Sequence, residues 1–170
     1  LGSNPGKNIL IKKGTWELTT DLFPSHPIER IVGEGGSVIK ISGTTSHAFF
    51  NLSFVDNPIS MENITVEVDA SDRPGDLVIF TGFAQMRNCR VIVRSVADVP
   101  SDCNIICFGY CNKMDNCTVN YYNESNTGIN LQGFLNCDEM AGCGFHCTDD
   151  LESVSETFFG QIRAFRDCNR

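Results

Sequence analysis

Apolar residues recur at every second position in short runs along this chain, and the runs themselves recur. Ile64-Val66-Val68, Cys89-Val91-Val93, Cys117-Val119-Tyr121 and Cys143-Phe145-Cys147 each alternate with intervening, mostly polar residues. A period of two predicts β-strands with one buried face. Gly, Asn, Asp, Ser and Pro break the chain between runs, as turns require.

The runs sit inside a longer repeat. Met61-Glu62-Asn63-Ile64-Thr65-Val66 aligns with the segments beginning at Met86, Met114 and Met140, and Phe165-Arg166-Asp167-Cys168 fits as a truncated copy. The starting positions 61, 86, 114, 140 and 165 lie 25, 28, 26 and 25 residues apart. A second track, Ile79-Phe80-Thr81-Gly82-Phe83, Cys107-Phe108-Gly109-Tyr110, Leu131-Gln132-Gly133-Phe134 and Phe158-Phe159-Gly160-Gln161, places glycines at 82, 109, 133 and 160. Helical repeats need two amphipathic helices per unit, propeller blades need roughly 40 residues, and leucine-rich repeats need spaced leucines. What remains is a parallel β-helix, a solenoid with one coil per repeat and two or three strands per coil. The expectation is one all-β domain over residues 4–170 with about six to seven coils and no helix beyond a turn around Leu151 to Ser155. Leu1-Gly2-Ser3 reads as a tag remnant, and the chain as a fragment of a longer protein.

In such a solenoid, equivalent residues stack at the strand spacing of about 4.8 Å. Cys89, Cys117, Cys143 and Cys168 are expected to form one internal ladder headed by Ile64. Met61, Met86, Met114, Met140 and Phe165 would form a second, and Cys111 and Cys137 a third. The nine cysteines are odd in number and include no C-x-x-C pair, and with three His they match no zinc module. Either they are small buried core residues, or some pair as disulfides between coils, where a bridge wants Cα atoms about 5.5 Å apart.

The charge balance narrows the partners. Asp and Glu total 21 against 13 Lys and Arg, a net charge of −8. The bases are scattered, so neither nucleic acid nor an anionic membrane surface is expected as partner. Apolar runs such as Leu77 to Phe80 are far too short for membrane insertion.

The segment Ile9-Leu10-Ile11-Lys12-Lys13-Gly14-Thr15-Trp16-Glu17-Leu18, followed by Arg30-Ile31-Val32-Gly33-Glu34-Gly35-Gly36-Ser37-Val38-Ile39-Lys40, resembles the opening coils of the pectate-lyase-like, right-handed parallel β-helix superfamily. The downstream Asn-Cys repeats look most like those of bacteriophage or prophage tailspike and tail-fibre proteins. The resemblance spans about residues 9–168, though the capping helix usual before the first strand is missing. It implies a homotrimer on a virion tail or an extracellular surface. It also implies receptor binding to cell-surface polysaccharide, or else cleavage of that polysaccharide.

Chemistry on such a fold belongs to outward strand positions. If Ile64, Val66 and Val68 point inward, the outward columns are Glu67–Ile92–Asn120–His146 and Asp69–Arg94–Tyr122–Thr148, flanked by Arg90. Glu67, Asp69, Arg90, Arg94, Asn120, Tyr122 and His146 are therefore the candidate ligand-binding residues, with Tyr122 as a stacking ring. The competing reading is a solvated sheet face with an Asp69–Arg94 surface ion pair. No Asp/Glu pair recurs across coils, so no catalytic residue, metal ligand or cofactor is assigned. Asp138-Glu139 and Asp149-Asp150 read as turn acids, His26 and His47 as turn residues, and Trp16 as a core or cap residue. Gly33-Glu34-Gly35-Gly36 reads as a turn between coils. Asn51, Asn63, Asn116 and Asn123 begin glycosylation sequons. The expected function is a rigid glycan-binding segment of a tail fibre or tailspike. A polysaccharide lyase or glycoside hydrolase on the same fold is the alternative, and a bacterial surface adhesin the second.

Overall fold

The computed structural model describes residues 7–20, 28–42, 46–50, 59–72, 75–96, 103–123, 129–149 and 162–168. Among the described residues, seventeen strands fall into three sheets. Sheet A stacks β1 (Lys7–Ile11), β3 (Ile28–Gly33), β6 (Ser60–Glu62), β9 (Gln85–Arg87), β12 (Lys113–Asp115) and β15 (Glu139–Ala141). Sheet B stacks β2 (Gly14–Leu18), β4 (Ser37–Ile41), β7 (Thr65–Asp69), β10 (Arg90–Ser95), β13 (Thr118–Asn123) and β16 (Gly144–Asp149). Sheet C stacks β5 (His47–Phe50), β8 (Leu77–Thr81), β11 (Asn104–Gly109), β14 (Asn130–Leu135) and β17 (Ile162–Arg166). The chain visits A, B and C in turn, and neighbours in every sheet pair in parallel. The molecule is thus an all-β parallel solenoid, with slightly fewer whole coils than the six to seven expected. Its helical content among the described residues is one 3₁₀ turn, Ala70–Asp72. The turn expected at Leu151 to Ser155 lies outside them.

Two corners explain why the repeat reads Asn-Cys. Between sheets A and B, Asn63, Asn88, Asn116 and Gly142 have φ of 56°, 51°, 52° and 61°. Between sheets C and A, Gly82, Tyr110, Asn136 and Asp167 have φ of 76°, 54°, 50° and 51°. A single left-handed residue turns the chain sharply, and Gly, Asn and Asp tolerate that conformation best. The next residue then points into the core: Ile64, Cys89, Cys117 and Cys143 at the first corner, Phe83, Cys111, Cys137 and Cys168 at the second. Adjacent corner amides also bond along the stack, Asn88 Nδ2 donating to Asn63 Oδ1 at 3.2 Å.

The methionine ladder stands as expected, with Met61, Met86, Met114 and Met140 in register. Its fifth member does not. Phe165 pairs with Phe134 in sheet C and not with Met140 in sheet A. It ends a column of stacked rings, Phe49–Phe80–Phe108–Phe134–Phe165, with centroids 5.3, 5.3, 5.1 and 5.0 Å apart. Cys168 consequently joins Cys111 and Cys137, and the other ladder is Cys89–Cys117–Cys143. The cause is connection length. Residues 150–161 separate β16 from β17, where 124–129 separate β13 from β14. An interval of one period therefore delivers Phe165 to the wrong sheet.

The glycine track also dissolves. Gly109 pairs with Thr81 and Leu135, whereas Gly82 lies at the second corner and Gly133 just before Phe134. Gly160 lies outside the described residues. The stacked rings Phe80, Phe108 and Phe134 lie two before Gly82, one before Gly109 and one after Gly133, so an even glycine spacing does not mark one register.

All nine cysteines carry thiols. Cys89, Cys103, Cys107, Cys111, Cys117 and Cys137 are buried, Cys143 and Cys168 half-buried, and Cys147 exposed. Cys143 and Cys147 were expected on the inward face, and they occupy it. Their coil is the last described in sheet B, so less packs over them. Burial pushes the Cys107 thiol up, which disfavours the reactive thiolate. A maleimide added to native protein is expected to label Cys147 within the first minutes and the six buried thiols only in denaturant. Rapid native labelling of Cys117 would show that the register is wrong.

Candidate polar face on sheet B

Outward positions of sheet B form three columns, and the pairing register places each residue. Arg90 lies between Thr65 and Thr118. Ile92 lies between Glu67 and Asn120, which continues to His146. Arg94 lies between Asp69 and Tyr122, which continues to Thr148. All seven candidate residues therefore share one face, because β7, β10, β13 and β16 stack without a register shift.

Their partners differ from the expectation at one point. Arg94 rests over the Tyr122 ring, its guanidinium carbon 4.7 Å from the centroid, so the arginine is drawn to the aromatic neighbour on one side. Asp69, on the other side, accepts the Ser71 backbone N–H at 3.0 Å. Glu67 faces Lys40 at 3.9 Å, a partly exposed pair worth little by itself. Arg90 and His146 are exposed and Asn120 is half-buried.

The structure extends this face beyond the predicted residues. Glu17 and Lys40 head the Glu67 column, and Glu17 accepts a hydrogen bond from Ser42 Oγ at 2.7 Å. Thr15, Glu17, Lys40, Ser42, Glu67, Asp69 and Arg94 line a depression of about 560 Å³. Sequence reasoning missed Thr15, Glu17, Lys40 and Ser42 because their coils lack the Met-x-Asn-Cys signature, so no alignment projected them. The signal was present as alternation, with Trp16 and Ile39 pointing inward between them. Trp16 stands at the head of the inward column Ile39–Val66, half exposed, its Nε1 donating to the Lys12 carbonyl at 2.9 Å.

The other described features are accounted for locally. The outer face of sheet A carries ion pairs between coils, Arg30–Glu62 at 2.7 Å, Arg87–Asp115 at 3.6 Å and Lys113–Glu139 at 3.4 Å. Glu139 is thus a strand residue with a cation beside it, not a turn acid. Asp149 and His47 likewise lie in strands, β16 and β5, whereas Asp150, His26 and Asn51 lie outside the described residues. Glu34 to Gly36 form a turn, with Gly36 at φ 88°, but it joins β3 to β4 within one coil and not one coil to the next, and Gly33 ends β3. The Asn63 and Asn116 sequons coincide with the left-handed corner, and Asn123 is buried. Among the described residues, no group of three or more His, Cys, Asp or Glu converges as a metal site.

Fold and face together define a parallel β-solenoid whose sheet B presents a polar, mixed-charge outer surface. No known family, curated protein or solved structure matches the chain.

Proposed function

We propose that this protein is a rigid solenoid scaffold that binds cell-surface glycan along the outer face of sheet B. The observation that carries the reading is the Arg94–Tyr122 stack at 4.7 Å beside the depression. A ring fixed by a guanidinium over one face leaves its other face and its hydroxyl as an amphipathic contact at small entropic cost. Around it, Thr15, Ser42, Thr65, Thr118 and Asn120 supply hydroxyls and an amide at strand spacing. The face also carries balanced charge: Lys40, Arg90 and Arg94 against Glu17, Glu67 and Asp69. Balance favours a neutral or zwitterionic sugar chain over a polyanion. The resemblance to phage tailspikes and tail fibres adds the setting: a homotrimer on a virion tail or extracellular surface, reading a bacterial polysaccharide.

The test is retention of the protein on a panel of immobilised bacterial surface polysaccharides. Tyr122→Ala and Arg94→Ala are each expected to lower retention about tenfold, the scale of one lost contact of about 1.4 kcal/mol. Both should change stability little, since Arg94 is exposed and Tyr122 is only half-buried on the outer face. Unchanged retention in both variants would reduce this face to solvated surface. Glu17, Glu67 and Asp69 in one depression also keep the cleavage reading open to test. Release of new reducing ends or of unsaturated ends from the same polysaccharides would make the protein a hydrolase or a lyase.

A further inference from the structure

The two cysteine ladders occupy different corners yet share one geometry. Each ladder cysteine follows a left-handed residue. Each thiol lies against the carbonyl two residues before it, Cys89 on Arg87, Cys111 on Gly109, Cys117 on Asp115, Cys137 on Leu135, Cys143 on Ala141 and Cys168 on Arg166, at 3.2–3.6 Å. Register carries Asp115↔Ala141 and Thr118↔Gly144 on either side of Cys117 and Cys143, and Leu135↔Arg166 just before Cys137 and Cys168. Neighbouring thiols are also near enough to shift one another's ionisation, Cys117 with both Cys89 and Cys143, and Cys137 with both Cys111 and Cys168. Parallel in-register strands hold Cα atoms about 4.8 Å apart, inside the 4.4–6.8 Å range that disulfides use.

Exposure breaks the symmetry along each ladder. Cys89, Cys117, Cys111 and Cys137 are buried, whereas Cys143 and Cys168 are half-buried. We propose that the ladders are paired oxidation sites at which a small-molecule disulfide converts Cys117–Cys143 and Cys137–Cys168 into two bridges, stapling the coil of β15, β16 and β17 to the coil before it. At each site the accessible thiol, Cys143 or Cys168, loses its proton and attacks one sulfur of the reagent, expelling the other as thiolate. The neighbouring ladder thiol then attacks the mixed disulfide, forming the protein bridge and expelling the second thiolate. Two protein thiols are oxidised and one reagent disulfide is reduced to two thiols, which take up the two protons. Each ladder has three members, so one thiol, Cys89 or Cys111, stays reduced one coil deeper. It lies against the bridged sulfur and can exchange with it. Hydrogen bonding with Cys117 and burial hold the Cys143 thiol up, and burial does the same for Cys168. The attack is therefore slow near neutrality and faster as pH rises.

The experiment uses a Cys147→Ser variant, which removes the exposed competitor. The protein is incubated with oxidised glutathione at pH 8.5, alkylated, and mapped by mass spectrometry without reduction. Peptides linked 117–143 and 137–168 are expected first. Proteolysis within residues 139–168 should slow at least tenfold, in line with the stabilisation that bridges of this loop length give, and reductant should restore the rate. Cys143→Ser and Cys168→Ser should each abolish their own bridge and leave the other. Stable glutathione adducts without protein bridges, bridges that form first at 89–117 or 111–137, or bridges that leave proteolysis unchanged would each overturn the proposal.

Discussion

Phe108→Ala is expected to destabilise the protein by about 3–5 kcal/mol, the cost of a large buried ring with a residual cavity. Phe108 is fully buried and stacks on Phe80 at 5.3 Å and on Phe134 at 5.1 Å. Its loss breaks the ring column at its centre, where coils above and below both lose a partner. Solenoid stability is a sum of coil terms and nearest-neighbour interfaces, so one central cavity weakens two interfaces. Phe165 stacks on Phe134 at 5.0 Å and is 38% exposed. Phe165→Ala is therefore expected to cost only about 1 kcal/mol. Urea unfolding followed by circular dichroism measures both. Equal losses, or a Phe108→Ala loss below about 1 kcal/mol, would mean that the ring column is not the spine of the fold.

Gly133→Val should be comparably damaging, for the opposite reason. A Cβ at Gly133 would lie 2.5 Å from Phe145 Cδ2 and 2.7 Å from the Ala164 carbonyl oxygen. The ring occupies the space a side chain would need, and the backbone of β17 closes the other side. Overpacking of this kind costs about 1–3 kcal/mol, and more where backbone must move. One coil earlier the corresponding inward positions hold Cys107 and Val119, two medium residues in place of one absent and one large. Phe145→Val introduced into Gly133→Val is thus expected to recover about half of the loss, since it clears the ring but not the Ala164 carbonyl. A double-mutant cycle with no coupling between the two positions would refute this account of how the volumes are matched.

The legibility of the fold followed the regularity of the core. Alternation at Ile64-Val66-Val68 and its copies identified sheet B, its inward face and the three outward columns, because a strand has only two faces and any repeat that preserves register preserves them. The Met column was legible for the same reason. Phe165 and Cys168 were not, because spacing along the chain cannot tell which sheet a segment joins when the connection before it is long. The glycine track misled because glycine contributes no side chain to a column, so its spacing fixes no register. Thr15, Glu17, Lys40 and Ser42 stayed hidden because their coils turn from sheet A to sheet B through Lys12-Lys13 and through Glu34-Gly35-Gly36, without the Asn-Cys corner that marks later coils.

The sequence by itself determined the period, the parallel solenoid, the inward and outward alternation of sheet B, and the clustering of Glu67, Asp69, Arg90, Arg94, Asn120, Tyr122 and His146 on one face. These follow from local periodicity, which requires no knowledge of distant contacts. Only the tertiary structure decided that Arg94 lies over Tyr122, that Glu17 and Lys40 complete the depression, and that six cysteines divide into two ladders of three. Each of those outcomes depends on which coil lies above which. That is set by connection lengths and by the fit of large against small core residues, such as Phe145 against Gly133, and neither is written in the period.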